Sequence, residues 1–463
     1  MTDTTAIPGL DQVTDRIEEL MTRHGLPSLS LAIAHGDRVE ARGFGMADLR
    51  GRPATGDTPY LLASVTKPIV ATLCLVLAEQ RLVDLDQPLA DRLPWLDRQR
   101  PGRRGRPTAR QALNHTAGFG QYWDFAYGEP APGIRQTIER YGVLIHDPGT
   151  RFEYANLGYG VLEPWLSAAT GRPLSDLLDR YLFRPLGLAS AAYGPGAGGA
   201  DAAVPYTAAR HLPYPTIDTS HPAASLAWMS ASDLARFGLT HTNGSTMVAP
   251  ASAEALRTPG VPAARPSTER PDVYGLGWNA RYPGGVEVLT HVGDMCGVGA
   301  SIAVLPELGV SAAAVVNRTG SFEQARAACE LLLEGLVSRI GSEPAARTSP
   351  AVPVGEWSGQ VETPSGAIPL RIGVFGDGAA WIEVADAART PARVEPDPVY
   401  DVMFAADLQL PTPDALRAGP LLELALDVGA DRLAGAARAV KHGEGGDRVG
   451  NCLTHWCELE PVR

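Results

Sequence analysis

Strand-like alternation sits at both ends of the first 340 residues and is scarce between them, which constrains the fold more than any other feature of the chain. SLSLAIAHGDRVEARGF alternates on either side of His35-Gly36-Asp37, a hairpin signal. Strand patterns return at Val286–His291, Gly299–Leu305 and Val310–Val316, followed by a helical pattern from Phe322 to Ile340. Ahead of the first strands, Asp11–His24 carries Val13, Ile17, Leu20 and Met21 on one helical stripe. The middle reads as helices at Leu157–Thr170, Leu174–Leu182 and Leu234–Thr242, the last entered through a capping-box-like Ser230–Asp233. A sheet must then draw its members from both ends of one domain, with helices between them: an α+β arrangement.

The character changes after Gly341–Gly355, a Pro/Ala/Ser-rich stretch that reads as a linker. LRIGVFGDGAAWIEV carries an Asp377-Gly378 turn between alternating segments, and LELALDVGADRLAGAARAV repeats the pattern. The expected division is residues 1–345, a linker at 346–355, and an all-β domain at 356–463. Gln99–Arg110, Gly194–Asp201 and Thr258–Asp272 read as loops. The all-β part carries much of the chain's net charge of −12, which argues against a nucleic-acid partner bound through a basic surface. Its Cys452 and Cys457 fall on opposite faces of a strand, and the odd total of five cysteines is not a disulfide framework. The longest apolar run, Ile69–Ala78, is too short for a membrane span of ~20 residues. MTDTTAIPGLDQ lacks the pattern of a secretory leader, so a cytoplasmic location is expected.

Of 40 basic residues only Lys67 and Lys441 are lysine. Arginine stays protonated in proteins, whereas a buried lysine can lose its proton and act as a base. Lys441 reads as a solvated surface charge. Lys67 stands three residues after Ser64 at the entrance of the apolar helix TKPIVATLCLVLAEQRL, where positions i and i+3 share a face. Pro68 is compatible with that helix because it lies in the first turn. A serine hydroxyl becomes a nucleophile when a neighbouring base takes its proton. For lysine to be that base, its reference pKa of ~10.4 must fall toward neutrality, a differential of ~4 kcal/mol.

Two further elements accompany this pair. Tyr154-Ala155-Asn156, if extended, points a phenol and a carboxamide the same way, for proton relay and for holding an acyl chain; packing is the competing role. In His291-Val292-Gly293 the glycine lets a substrate lie close to the backbone, and the N–H that follows, on Asp294, could complete an oxyanion hole with the N–H of Ser64. Cys296 lies nearby in sequence and reads as a buried structural cysteine. GxSxG, HExxH, CxxC and a Gly-rich loop ending in GK[ST] are all missing, so elbow-type hydrolase, zinc and nucleotide chemistries lose their usual signatures.

In this order, Ser64-x-x-Lys67, Tyr154-x-Asn156 and His291-x-Gly293 resemble the penicillin-recognising serine enzymes: class C β-lactamases, DD-peptidases and their esterase and transacylase relatives. Asn114-His115-Thr116-Ala117-Gly118, the Ser232-Asp233-Leu234 helix start and a Tyr274–Trp278 strand extend the likeness over about Val13–Ile340. The resemblance implies an antiparallel sheet flanked by helices, with an all-α subregion. It also implies Ser64 as the acylated nucleophile, Lys67 and Tyr154 as the proton-transfer pair, Asn156 on the acyl group, and His291 and Gly293 lining the pocket. Class C β-lactamases carry Lys-Thr-Gly where this chain has His-Val-Gly, and an imidazole is a weaker carboxylate anchor than an ammonium. Esterase, peptidase or acyl-transfer chemistry is therefore expected over β-lactam turnover.

With the small C-terminal β domain, lipocalin-like, the chain is most similar to the penicillin-binding-protein-type thioesterases, stand-alone enzymes that release and macrocyclise nonribosomal peptides. That resemblance implies a peptidyl group delivered as a thioester by a peptidyl carrier protein and its phosphopantetheine arm, with no cofactor or metal of the enzyme's own. A hydrolase of the same fold and a non-catalytic scaffold are the alternatives.

Overall fold

The computed structural model describes residues 9–97, 102–258, 273–337, 354–397, 399–415, 420–441 and 448–462. The chain divides into two units: residues 1–85, 126–130 and 162–342, and residues 86–125, 131–161 and 343–463.

The first unit is built on an eight-stranded antiparallel sheet. Its order is Arg52–Pro53, Arg38–Asp48, Ser28–His35, Val310–Val316, Val298–Leu305, Val288–Met295, Asn279–Arg281, Val273–Tyr274. Strands from the two ends of the sequence meet at its centre, where Leu29 pairs with Val316 and His35 with Val310. The three central strands are buried along almost their whole length, which their unbroken apolar runs demand. On one face, Ile17 of the Thr14–His24 helix and Ala325, Ala328 and Leu332 of the Phe322–Leu332 helix pack against Leu29, Leu31, Ala312 and Ala314. The helix Thr66–Glu79 is buried on all sides from Thr66 to Leu77, so it reads as apolar throughout rather than striped.

Four expectations need correction here. The Tyr274–Trp278 segment is a turn between two short strands, closed by Gly275 N–H donating to Trp278 O at 2.9 Å. Gly277 takes φ +79°, and a Cβ there would meet Ala71 Cβ at 2.6 Å, so the turn fits only because the side chain is missing. The last helix of the unit ends at Leu332, short of Ile340, because Gly335 turns the chain with φ +86°. The Ser230 cap is half of a capping box: its Oγ accepts from Asp233 N at 3.2 Å, while the Asp233 carboxylate is taken by Ser190 and Arg236. That helix accordingly starts at Ala231, earlier than Leu234.

In the second unit, strands Gly355–Thr363, Gly366–Val374, Ala380–Val384, Thr390–Glu395, Val402–Ala406, Pro420–Val428, Leu433–Lys441 and Asn451–Pro461 close into an antiparallel barrel. Asp377-Gly378 makes the turn between the second and third, with φ +85° at Gly378. Val361, Leu370, Ile372, Phe404, Leu424 and Leu459 fill its interior, as an eight-stranded barrel of this size requires. Cys457 joins that core. Lys441 is buried, 3% exposed, not the solvated charge expected of it. A second apolar cluster joins Val143 and Ile145 to Tyr400, Ala436 and Trp456 on the barrel's outer face. All five cysteines are buried, and none is in a disulfide. The linker and the Thr258–Asp272 expectation fall largely outside the described residues, as does Gln99–Pro101 of the Gln99–Arg110 loop; Gly102–Pro107 and Gly194–Asp201 are irregular or turn structure as expected, but Ala109 and Arg110 open a helix, Ala109–Leu113, entered through a capping box of Thr108 and Gln111.

Candidate functional site

Ser64 lies in a single 3-10 turn, Ala63–Val65, directly before the buried helix. The turn is tied down on one side by Leu62 N–H donating to Ala227 O at 2.9 Å, and by Ala227 N–H donating to Thr66 Oγ1 at 3.0 Å. Ala63 is held at φ +49°, a left-handed conformation that alanine adopts only at a cost of ~1–3 kcal/mol. The strain sits immediately before the hydroxyl and has no signal in the sequence, where alanine replaces the glycine or asparagine that would announce it.

Lys67 Nζ lies 3.0 Å from Ser64 Oγ and donates to Ala224 O at 3.1 Å. The lysine is 0% exposed, and burial holds its ammonium pKa well below the ordinary lysine value. The pair thus has the distance that transfer of the hydroxyl proton to an amine requires, and burial favours the uncharged amine. His221, which the sequence did not single out, is buried close enough to feel the lysine's charge. Burial, with Lys67 adding to it, pushes its pKa down to about 3.

Val288–Met295 passes the same turn edge-on. A Cβ on Gly293 would stand 2.3 Å from Leu62 O and 3.1 Å from Ser64 N, so only glycine lets the strand run this close to the nucleophile. Asp294, next along the strand, turns its carboxylate to Gly320 N–H at 3.2 Å. His291 is buried, and Tyr274 OH and Val292 O lie 3.0 Å and 2.7 Å from its Nε2 and Nδ1. A proton on Nδ1, donated to the carbonyl, and a lone pair on Nε2, receiving the phenol, satisfy both contacts. Burial, aided by Lys67, pushes the imidazole pKa down to about 3, so the ring is neutral near pH 7 and offers no cationic anchor. Cys296 is buried with its Sγ 3.1 Å from Tyr127 OH.

Tyr154 and Asn156 belong to the second unit. Asn156 opens the helix Asn156–Thr170, so the two are not alternate positions of one strand. The Asn156 side-chain amide donates to Tyr122 O at 2.9 Å. Tyr154 is half-buried beneath His115, whose ring centroid is 4.2 Å from that of the phenol. His115 itself sits at φ +59°; its Nδ1 accepts from Ala155 N–H at 3.1 Å and its O from Glu153 N–H at 2.9 Å. The Asn114–Gly118 segment is therefore the seat of the Tyr154 segment.

A family model described as Beta-lactamase matches residues 13–335. The chain belongs to the beta-lactamase family. The antiparallel sheet with its helices is that family's fold, and the closed eight-stranded barrel is the lipocalin-like addition expected from the sequence. Curated relatives in that family carry the names hydrolase, esterase and D-aminopeptidase.

Among curated relatives in the family, "Unguisins hydrolase ungD'" of Aspergillus campestris (strain IBT 28561) is 26% identical over 339 residues, covering 67% of this chain and 62% of that protein. The chain thus spans about three fifths of that relative's length. A D-aminopeptidase of Cereibacter sphaeroides (strain ATCC 17029 / ATH 2.4.9) is 24% identical over 405 residues, covering 80% of this chain and 70% of that enzyme. Among solved structures, SurE with D-Leu aligns with a TM-score of 0.66 at 23% identity, covering 98% of this chain and 99% of that one, a likeness of fold that includes the barrel. Among the described residues no His/Cys/Asp/Glu group could hold a metal ion, and no helix is long and apolar enough to cross a membrane.

Proposed function

We propose that the chain takes a peptidyl group from a carrier-protein thioester in the cytoplasm and releases it as a macrocycle. The observation that carries the acyl-enzyme half is the buried Lys67 amine 3.0 Å from Ser64 Oγ. In the first step Ser64 Oγ attacks the thioester carbonyl, Lys67 Nζ receives its proton, and the oxyanion is held by the N–H groups of Ser64 and Asp294. The phosphopantetheine thiol leaves with a proton, and Tyr154 works with Lys67 in moving it. The peptide's own amine then attacks the Ser64 ester, with Asn156 fixing the acyl chain, and the ring closes as Ser64 regains its proton. Support for the peptide class comes from the full-length likeness in fold to SurE, solved with D-Leu, and from the unguisins hydrolase. His291 and Gly293 would line the pocket; a neutral His291 suits an amide or ester chain better than a β-lactam carboxylate.

A second reading, hydrolysis of D-residue amides or esters on the same acyl-enzyme, is favoured by the D-aminopeptidase relative, which matches over the larger share of the chain. A peptidyl thioester with a D-residue at the acyl position separates the two. Cyclic product from the wild type, absent with Ser64→Ala, supports the cyclase; linear acid alone overturns cyclisation and leaves the hydrolase.

A further inference from the structure

Glu153, directly before Tyr154, is 2% exposed, and four groups converge on its carboxylate. Tyr400 OH donates to Oε2 at 2.6 Å, Arg438 Nη2 donates to Oε1 at 3.2 Å, and Gln121 N–H donates to Oε1 at 3.3 Å. His146 Nε2 lies 3.0 Å from Oε2. Burial alone would raise the Glu153 pKa; His146, Arg438 and Tyr400 outweigh it and hold the group below the usual carboxylate range, so it stays ionised. Two of these partners come from the barrel: Arg438 from its Leu433–Lys441 strand and Tyr400 from the segment just before Val402–Ala406. Arg438 is fixed in turn, 3.7 Å from Asp397 and 3.8 Å from Glu423, with its guanidinium 5.4 Å from the centre of the Tyr400 ring.

A barrel face that served only to stabilise would gain as much from apolar packing, because buried ion clusters give little net stability over hydrophobic replacements. Beside this cluster the same face does pack that way, through Val143, Ile145, Ala436 and Trp456. What the charges add is direction. Glu153 is held by its carboxylate on the barrel side and by its N–H on His115 O, and the next N–H but one, that of Ala155, is held by His115 Nδ1. Tyr154 is the residue between those two anchors.

We propose that the barrel is a positioning element for catalysis, in which Arg438 and Tyr400 clamp Glu153 and thereby set the place of Tyr154. The proposal rests on the reading of Tyr154 as a proton carrier, and the experiment separates the two. The full chain is compared with Arg438→Met, Tyr154→Phe and the double variant, by stopped-flow acylation with a p-nitrophenyl ester. Arg438→Met is expected to lower the acylation rate constant about 10–100-fold, the scale of a displaced catalytic group, with KM within about twofold. In the Tyr154→Phe background the same change is expected to cost less than about twofold, because the residue it positions is already disabled. Tyr400→Phe keeps the ring and removes one hydrogen bond, so it decides the matter in the same two backgrounds if Arg438→Met fails to fold. Equal losses in both backgrounds, or folded Arg438→Met and Tyr400→Phe proteins with wild-type rates, overturn the clamp alone. A Tyr154→Phe protein with wild-type acylation overturns the role of Tyr154 and the clamp with it.

Discussion

Gly293→Ala probes the approach of the strand to the nucleophile turn. The backbone at Gly293 is ordinary strand, paired with Ala300, so alanine meets no conformational barrier. The obstacle is space: the new methyl would stand 2.3 Å from Leu62 O and 3.1 Å from both Ala63 Cβ and Ser64 N. Carbon atoms in good contact sit ~3.5 Å from their neighbours, so strand and turn must part by about 1 Å. The turn has little freedom to yield, being tied to Ala227 through Leu62 N–H and Thr66 Oγ1 and already held left-handed at Ala63. Overpacking of this kind costs about 1–3 kcal/mol of stability. A 1 Å shift at the nucleophile, or loss of one oxyanion donor, lowers turnover about 10²–10³-fold. Acylation is measured as the mass increment left by a fluorophosphonate, sampled over time, with urea unfolding as the companion assay. A variant that acylates within about threefold of wild type and unfolds at the same urea concentration would refute the close approach and the oxyanion role built on it.

Three further outcomes are expected. Lys67→Met removes an amine whose charged form burial disfavours, so acylation should fall about 10²–10⁴-fold while the melting temperature at neutral pH rises. The sign follows from linkage: with the folded pKa depressed, the unfolded chain binds more protons between the folded and unfolded values, and stability due to this residue grows as pH climbs through that window toward the unfolded lysine value; Lys67→Met loses that slope. The His291 imidazole resonance should stay at its neutral position from pH 8 to pH 5, since its pKa is pushed down to about 3; an NMR titration with a midpoint near 6.5 would show the burial argument to be wrong. Phe404→Ala, at a fully buried position in the barrel, should cost about 3–5 kcal/mol in denaturant unfolding.

Local turn chemistry and periodicity made much of the fold legible. The hairpin at His35-Gly36-Asp37, the apolar helix after Ser64 and the Asp377-Gly378 turn all follow from signals within a few residues of themselves. The end of the last helix at Gly335 is a misreading of a local signal, whereas two other misreadings depend on partners remote in sequence. Tyr274–Trp278 alternates like a strand, but Gly277 is there because the chain crosses the helix that carries Lys67. Lys441 carries a charge yet is buried in the barrel wall, a placement that depends on strands paired across the closed sheet. Of the site, the Ser64–Lys67 pair was legible because i, i+3 spacing is local and lysine is rare in this chain. The strain at Ala63, the contact of His115 with Tyr154, and His221 beside Lys67 left no mark, since each arises from packing of distant segments.

The most direct test of the central claim is the pH dependence of fluorophosphonate addition to Ser64, followed by intact mass with Ser64→Ala as the blank. A depressed Lys67 pKa predicts a rate that reaches its plateau well below the pH at which an ordinary lysine titrates, and that falls as the amine is protonated at lower pH. A rate that keeps climbing to a midpoint near 10, where an ordinary lysine titrates, would contradict the account, as would an adduct that survives Ser64→Ala.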